Sequence, residues 1–148
     1  MGEKVETWKD LQVWQLAHRL VLRVYEMANR FPSEERFRLT DQLCKAAISI
    51  PTNIAEGKGR NSLREYLQFL YIARGSVEEV KYLLLLARDL GYMDEAGYAE
   101  VINGYNQVGK MLNKLIRSLR SHLPTQTPKL KPQKPKTQKP MKKELLHS

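Results

Sequence analysis

The sequence predicts an all-α fold: an antiparallel up-down-up-down four-helix bundle over residues 1–123, followed by a disordered basic tail over 124–148. Apolar residues recur at intervals of three and four in four separate segments, the spacing that lines one face of a helix. The segments are joined by short breaks rich in Gly, Pro and Ser, which make consecutive long helices antiparallel neighbours. No strand is needed to account for any part of the pattern. A chain of 148 residues with 42% hydrophobic content is the size of one such domain and has enough apolar surface for a core.

In the first segment Leu11, Trp14, Ala17, Val21, Val24 and Ala28 carry the stripe. Thr7 and Asp10 have the spacing of a capping box at its start, and Phe31-Pro32 marks its end. In the second, Leu39, Leu43, Ala46, Ile50 and Ile54 keep their phase straight through Pro51, which predicts one kinked helix rather than two elements. Gly57 is expected to stop it, with Gly59 in the turn. Ser62 and Glu65 form a second capping-box pair that opens the third helix. Its stripe runs through Leu63, Leu67, Leu70, Val77, Leu84 and Ala87 to Gly91. Asp94 caps the fourth, whose face is Tyr98, Val101, Tyr105, Val108, Leu112, Leu115 and Leu119. Trp14, Tyr98 and Tyr105 fall in these stripes and are expected in the core rather than on a base-stacking platform.

The formal charge of +9 is unevenly spread. Residues 124–148 hold seven lysines, one glutamate and five prolines, leaving 18 Lys/Arg against 15 Asp/Glu in residues 1–123. The tail has no periodic apolar pattern and its prolines remove backbone donors, so it reads as a flexible basic arm. The single Cys44 excludes an internal disulfide or a Cys-based zinc cluster and suits a reducing compartment. The opening MGEKVETWKD has no signal-peptide core, and no run approaches the roughly 18 apolar residues of a membrane span. We therefore expect a cytoplasmic protein without a membrane partner. No cofactor or metal site is expected: the Glu-x-x-His pairs of di-metal bundles are absent, with Gln15 before His18 and Leu119 before His122.

The blocks WKDLQVWQLAHRLVLRVYEM, SIPTNIAEGKGR and EYLQFLYIARGSVEEVKYLLLLARDLGY resemble the four-helix-bundle proteins encoded in intervening sequences of bacterial 23S ribosomal RNA genes, over about residues 8 to 120. More distantly, they resemble the accessory variability proteins of diversity-generating retroelements. The resemblance implies a ring assembly, typically a pentamer, without known catalytic activity. In the retroelement relatives a basic surface engages nucleic acid and a reverse transcriptase. The most specific blocks contain Pro51, Asn53, Glu56 and Gly57, then Arg74 and Gly75, all assigned structural roles. Asn53 and Glu56 are expected to hydrogen-bond around the carbonyl that Pro51 frees.

Three sets of cations are candidates for nucleic-acid contact. Lys58, Arg60 and Arg64 surround the start of the third helix, where free N–H groups already make a positive end that an anion would relieve. Lys110, Lys114, Arg117 and Arg120 share a side of the fourth helix, and Lys129, Lys131, Lys134 and Lys136 continue the charge into the tail. A solvated surface accounts for each set as well, and the GKGR turn is not a phosphate-binding P-loop because its glycine spacing is wrong. The function expected is a non-catalytic oligomeric scaffold for RNA or RNA/DNA, with a role as accessory factor to a reverse transcriptase as its finer form. The alternative is an RNA-cleaving enzyme of the HEPN type, because Arg117 and His122 have its Arg-x4-His spacing. Self-association has a reason of its own. Tyr82 and Leu83 to Leu86 are consecutive and cover every side of a helix, and Val13, Leu16 and Leu20 broaden the first.

Overall fold

The computed structural model describes residues 7–124. A 3-10 turn, Trp8–Asp10, precedes α1 (Gln12–Ala28), and a second, Ser33–Glu35, precedes α2 (Leu39–Lys58). The remaining helices are α3 (Leu63–Asp89) and α4 (Glu95–Arg120), with no strand among the described residues. Facing residues show the antiparallel order: Ser49 meets Ser76 and Gly57 meets Phe69, Arg74 meets Asn113 and Arg88 meets Glu95, Arg23 meets Glu100 and Gly104 meets Leu20. In each helix pair one number rises as the other falls. Each helix packs on two neighbours and α1 closes against α4, so the up-down-up-down bundle is the observed fold.

The predicted helix boundaries follow local chemistry closely in the second half of the chain. Ser62 Oγ accepts from Glu65 N at 3.1 Å and Asp94 Oδ1 accepts from Gly97 N at 2.7 Å, each satisfying an orphan donor of a first turn. After α3, Gly91 adopts φ 81°, Gly91 N donates to Arg88 O and Tyr92 N to Ala87 O, both at 2.9 Å. That paired closure is a Schellman cap, and the left-handed residue favours glycine.

The first half departs from expectation. The Thr7–Asp10 capping box is present but caps the 3-10 turn; α1 itself starts after Leu11, which offers no side-chain cap. The inward face of α1 is Val13, Ala17, Leu20, Val24 and Met27, leaving Trp14 and Val21 half-buried at its edge. Trp14 is therefore not a core residue, and neither is Tyr98, which is half-buried beneath the Arg88 guanidinium at 4.6 Å. Tyr105 does lie in the core, fully buried. Of the consecutive run in α3, Leu83 and Leu84 face the core, Leu85 and Leu86 are half-buried, and Tyr82 is 61% exposed.

The contact between α2 and α3 is the tightest in the bundle. α2 continues through a buried Pro51, and Ala46, Ala47 and Ala73 let the two backbones approach. Gly57 is not the stop of α2: it lies within the helix, and Gly59 is the C-cap. A Cβ at position 57 would stand 2.8 Å from Phe69 Cβ and 3.0 Å from Tyr66 Cδ1, so the glycine is needed for space. Asn53 does not reach the Ala47 carbonyl left without its helical donor by Pro51. It donates instead to Ser49 O at 2.7 Å and Ser49 Oγ at 3.0 Å, while Ser49 Oγ shares a 2.8 Å hydrogen bond with Ser76 Oγ across the helix pair. Glu56 points outward to Arg60, 3.8 Å away.

Because the Phe69 Cβ is anchored to its backbone, Gly57→Ala must push α2 and α3 apart locally. We expect a loss of about 1–3 kcal/mol in denaturant-measured stability, the usual cost of overpacking. A variant as stable as the parent would show that the close approach is not required.

Candidate nucleic-acid interface

Alternating helix direction brings the start of α1, the end of α2, the start of α3 and the end of α4 to one half of the bundle. Residues 7–15, 53–70 and 110–124 meet there, with eight Lys/Arg against three Asp/Glu. The segments of the other half, 23–45 and 78–100, have seven Lys/Arg against ten Asp/Glu. Charge is thus segregated along the bundle axis, and the basic tail is attached at the basic half.

At the inner edge of that half, three arginines converge between the middle of α3 and the end of α4. Arg74, Arg117 and Arg120, with Asn113 and Ile116, line a hollow of about 320 Å³. Arg74 is held there by donation from Nη1 to Asn113 Oδ1 at 3.2 Å and by packing of its guanidinium over the Tyr71 ring at 5.1 Å. None of the three forms an ion pair with a carboxylate among the described residues. By contrast, Arg23 is bound by Glu26 and Glu100, and Arg88 by Asp89 and Glu95. Three uncompensated guanidiniums around one hollow repel each other, and an oxyanion that accepts from their planar forks removes that cost.

The other predicted cations are placed differently. Lys58 lies over the Tyr66 ring at 6.0 Å, and burial pushes that phenol up to about 12, so the ring meets the ammonium neutral. Arg60 stacks on Phe69 at 4.7 Å and shares Glu56, which partly relieves the charge conflict at the start of α3. Arg64 is exposed on the first turn of α3 and Lys110 is exposed on α4. Lys114 turns towards α1, beside Asp10 and Leu11, and does not join the arginine hollow. Lys129, Lys131, Lys134 and Lys136 lie outside the described residues. Arg74, read from sequence as structural, joins Arg117 and Arg120 at this hollow; no local pattern shows that the middle of α3 faces the end of α4. Gly75 beside it is exposed, with open space where a Cβ would be.

The Arg117–His122 pair is divided by the end of the helix. Arg117 lines the hollow, whereas His122 lies exposed in the following turn, its N–H donating to Leu119 O at 3.1 Å, and is not part of the lining. Among the described residues no group of three His, Cys, Asp or Glu is arranged to hold a metal, and no helix is long and apolar enough to cross a membrane. Cys44 is half-buried, and burial, then the Asp41 carboxylate, pushes its thiol up, away from the reactive thiolate.

An antiparallel four-helix bundle with the IPTNIAEG and IARGS blocks paired across α2 and α3 defines a class of small helical proteins. The sequence profile of the 23S rRNA-intervening sequence proteins matches residues 9–114, and the chain belongs to that family. Among solved structures, it is similar to a protein of unknown function from the S23 ribosomal protein family of Bacteroides thetaiotaomicron. The two are 23% identical with a TM-score of 0.67, over 71% of this chain and 95% of that one, a likeness that shows the fold. No curated protein matches the chain.

Proposed function

We propose that this protein is a non-catalytic, self-assembling scaffold that holds RNA by its sugar–phosphate backbone at the basic half of the bundle. The observation that carries the reading is the convergence of Arg74, Arg117 and Arg120 on one hollow, without a carboxylate partner among the described residues. Phosphate contacts by arginine release counterions and do not depend on base sequence, so affinity falls steeply with salt. The lysines that follow Pro124 add to the same field.

Changing Arg74, Arg117 and Arg120 together to Gln is expected to leave the bundle folded, because all three are exposed. Fluorescence anisotropy of labelled single-stranded RNA should then show affinity reduced about tenfold or more at low salt. The slope of log K against log salt should fall by about 2, near 0.7 for each lost phosphate contact. Arg30→Gln, at the acidic half, should change neither. RNA recovered shortened after incubation would overturn the non-catalytic reading, and unchanged affinity in the triple variant would overturn the site.

Self-association is supported by a stripe on the outer face of α3. Ile72 is 52% exposed and Tyr82 61%, and Gly75 lies between them with nothing near its Cβ position. An exposed mid-helix glycine costs roughly 0.5–1 kcal/mol relative to alanine, a cost that close approach of a second copy would offset. Light scattering of the full chain at micromolar concentration should give a closed oligomer, with five subunits the number that the family resemblance implies. Gly75→Ala should stabilise the isolated subunit by roughly 0.5–1 kcal/mol while lowering the oligomer mass. A strict monomer would contradict this assembly.

A further inference from the structure

Both tryptophans of the chain lie in one groove between α1 and α2, on the side of the bundle away from the arginine hollow. The rings of Trp8 and Trp14 are 4.7 Å apart at 60°, and Trp14 stacks on His18 at 5.1 Å and 8°. Ile48, Pro51 and Ala55 of α2 form the facing apolar side, and the groove encloses about 400 Å³, within the size range of small-ligand sites. Trp8 is braced in place. The Thr7–Asp10 capping box closes its turn, and Gln15 Nε2 donates to Lys9 O at 2.9 Å. Three aromatic rings held half-open along one groove provide stacking area for a planar ligand.

Glu56 is the one carboxylate among the residues that line the groove. An ionised carboxylate only accepts hydrogen bonds, and two adjacent donors satisfy both its oxygens. Of the four RNA bases, guanine alone presents two adjacent N–H donors, N1–H and the N2 amine, on its Watson–Crick edge. Adenine and cytosine each set an acceptor beside their amine, and uracil flanks its single N–H with two carbonyls. Arg60 lies 3.8 Å from Glu56.

We propose that this groove binds an unpaired guanine base, stacked against Trp8 and Trp14 and read by the Glu56 carboxylate. Guanine carried on RNA rests on the nucleic-acid reading above; guanine as a free nucleotide shares the chemistry without it. With both tryptophans in the groove, intrinsic fluorescence of the full-length protein reports on it directly. Titration with GMP should quench that fluorescence at about tenfold lower concentration than AMP, CMP or UMP, the discrimination typical of one bidentate base contact. Glu56→Gln, at an exposed position that does not hold the fold together, should abolish the preference and keep the quenching. Trp14→Ala should weaken GMP binding about tenfold, the loss of one stacking partner. Guanine-containing single-stranded RNA, followed by anisotropy and tryptophan quenching together, separates the two sources. RNA that binds by anisotropy with guanine-dependent quenching supports the groove as part of the RNA site. GMP-selective quenching without RNA binding supports a free-nucleotide site and sinks the RNA reading. Equal response to all four nucleotides, or RNA binding that leaves the tryptophans unperturbed, overturns the guanine site while sparing the RNA reading. Fluorescence that shifts only with protein dilution assigns the groove to a second copy and overturns it as well.

Discussion

Close packing of α2 on α3 is the constraint from which the remaining structure follows. Gly57 admits Phe69 and Tyr66, small residues at 46, 47 and 73 bring the backbones together, and Ser49, Asn53 and Ser76 satisfy one another where they meet. Fixing this pair sets the short 59–62 turn and the phase of α3. The phase of α3 determines which residues it turns towards α4. Arg74 points at the end of α4, and Val80, Leu84 and Ala87 are sealed inside with Val101, Tyr105 and Val108. Burial of each such aliphatic side chain contributes roughly 1.5–3 kcal/mol before conformational entropy is counted, so the core fixes α4 only in this register.

Topology then turns a modest net charge into a directional one. Lys58, Arg117 and Arg120 complement the negative C-terminal ends of α2 and α4, and Asp94 and Glu95 complement the positive start of α4. Helix dipoles alone do not account for the segregation, since Arg64 occupies the first turn of α3, where a cation is unfavourable, and Asp89 the last, where an anion is. Arg64, together with the three arginines that have no carboxylate partner among the described residues, is what a phosphate-binding end would retain at a small expense in stability. In the acidic half five of the seven cations, Arg23, Arg38, Lys45, Lys81 and Arg88, are paired with carboxylates.

Much of the fold was legible in the sequence because its signals are local. The Ser62 and Asp94 caps, the Gly91 terminus and the uninterrupted phase through Pro51 each depend on residues within a turn or two. What was misread depends on partners far along the chain. Gly57 has the appearance of a helix stop until Phe69 occupies the space where its side chain would be. The face of α1 is turned relative to its simplest apolar stripe because Val13 and Leu20 meet α4, with Leu20 against Gly104, which leaves Trp14 at the groove. The candidate site was legible only in part. Arg117 and Arg120 stood out by spacing, but their convergence with Arg74 required the antiparallel pairing of α3 and α4.

Hydrogen–deuterium exchange of the full chain, with and without single-stranded RNA at low salt, tests most directly the claim that helix packing builds one nucleic-acid-binding half. Slower exchange in the presence of RNA is predicted for the turn around 59–64 and for the last turns of α4, from 113 to 123. No change is predicted at 26–38 or 89–100. Protection confined to those acidic segments, or equal exchange throughout with and without RNA, would contradict the account.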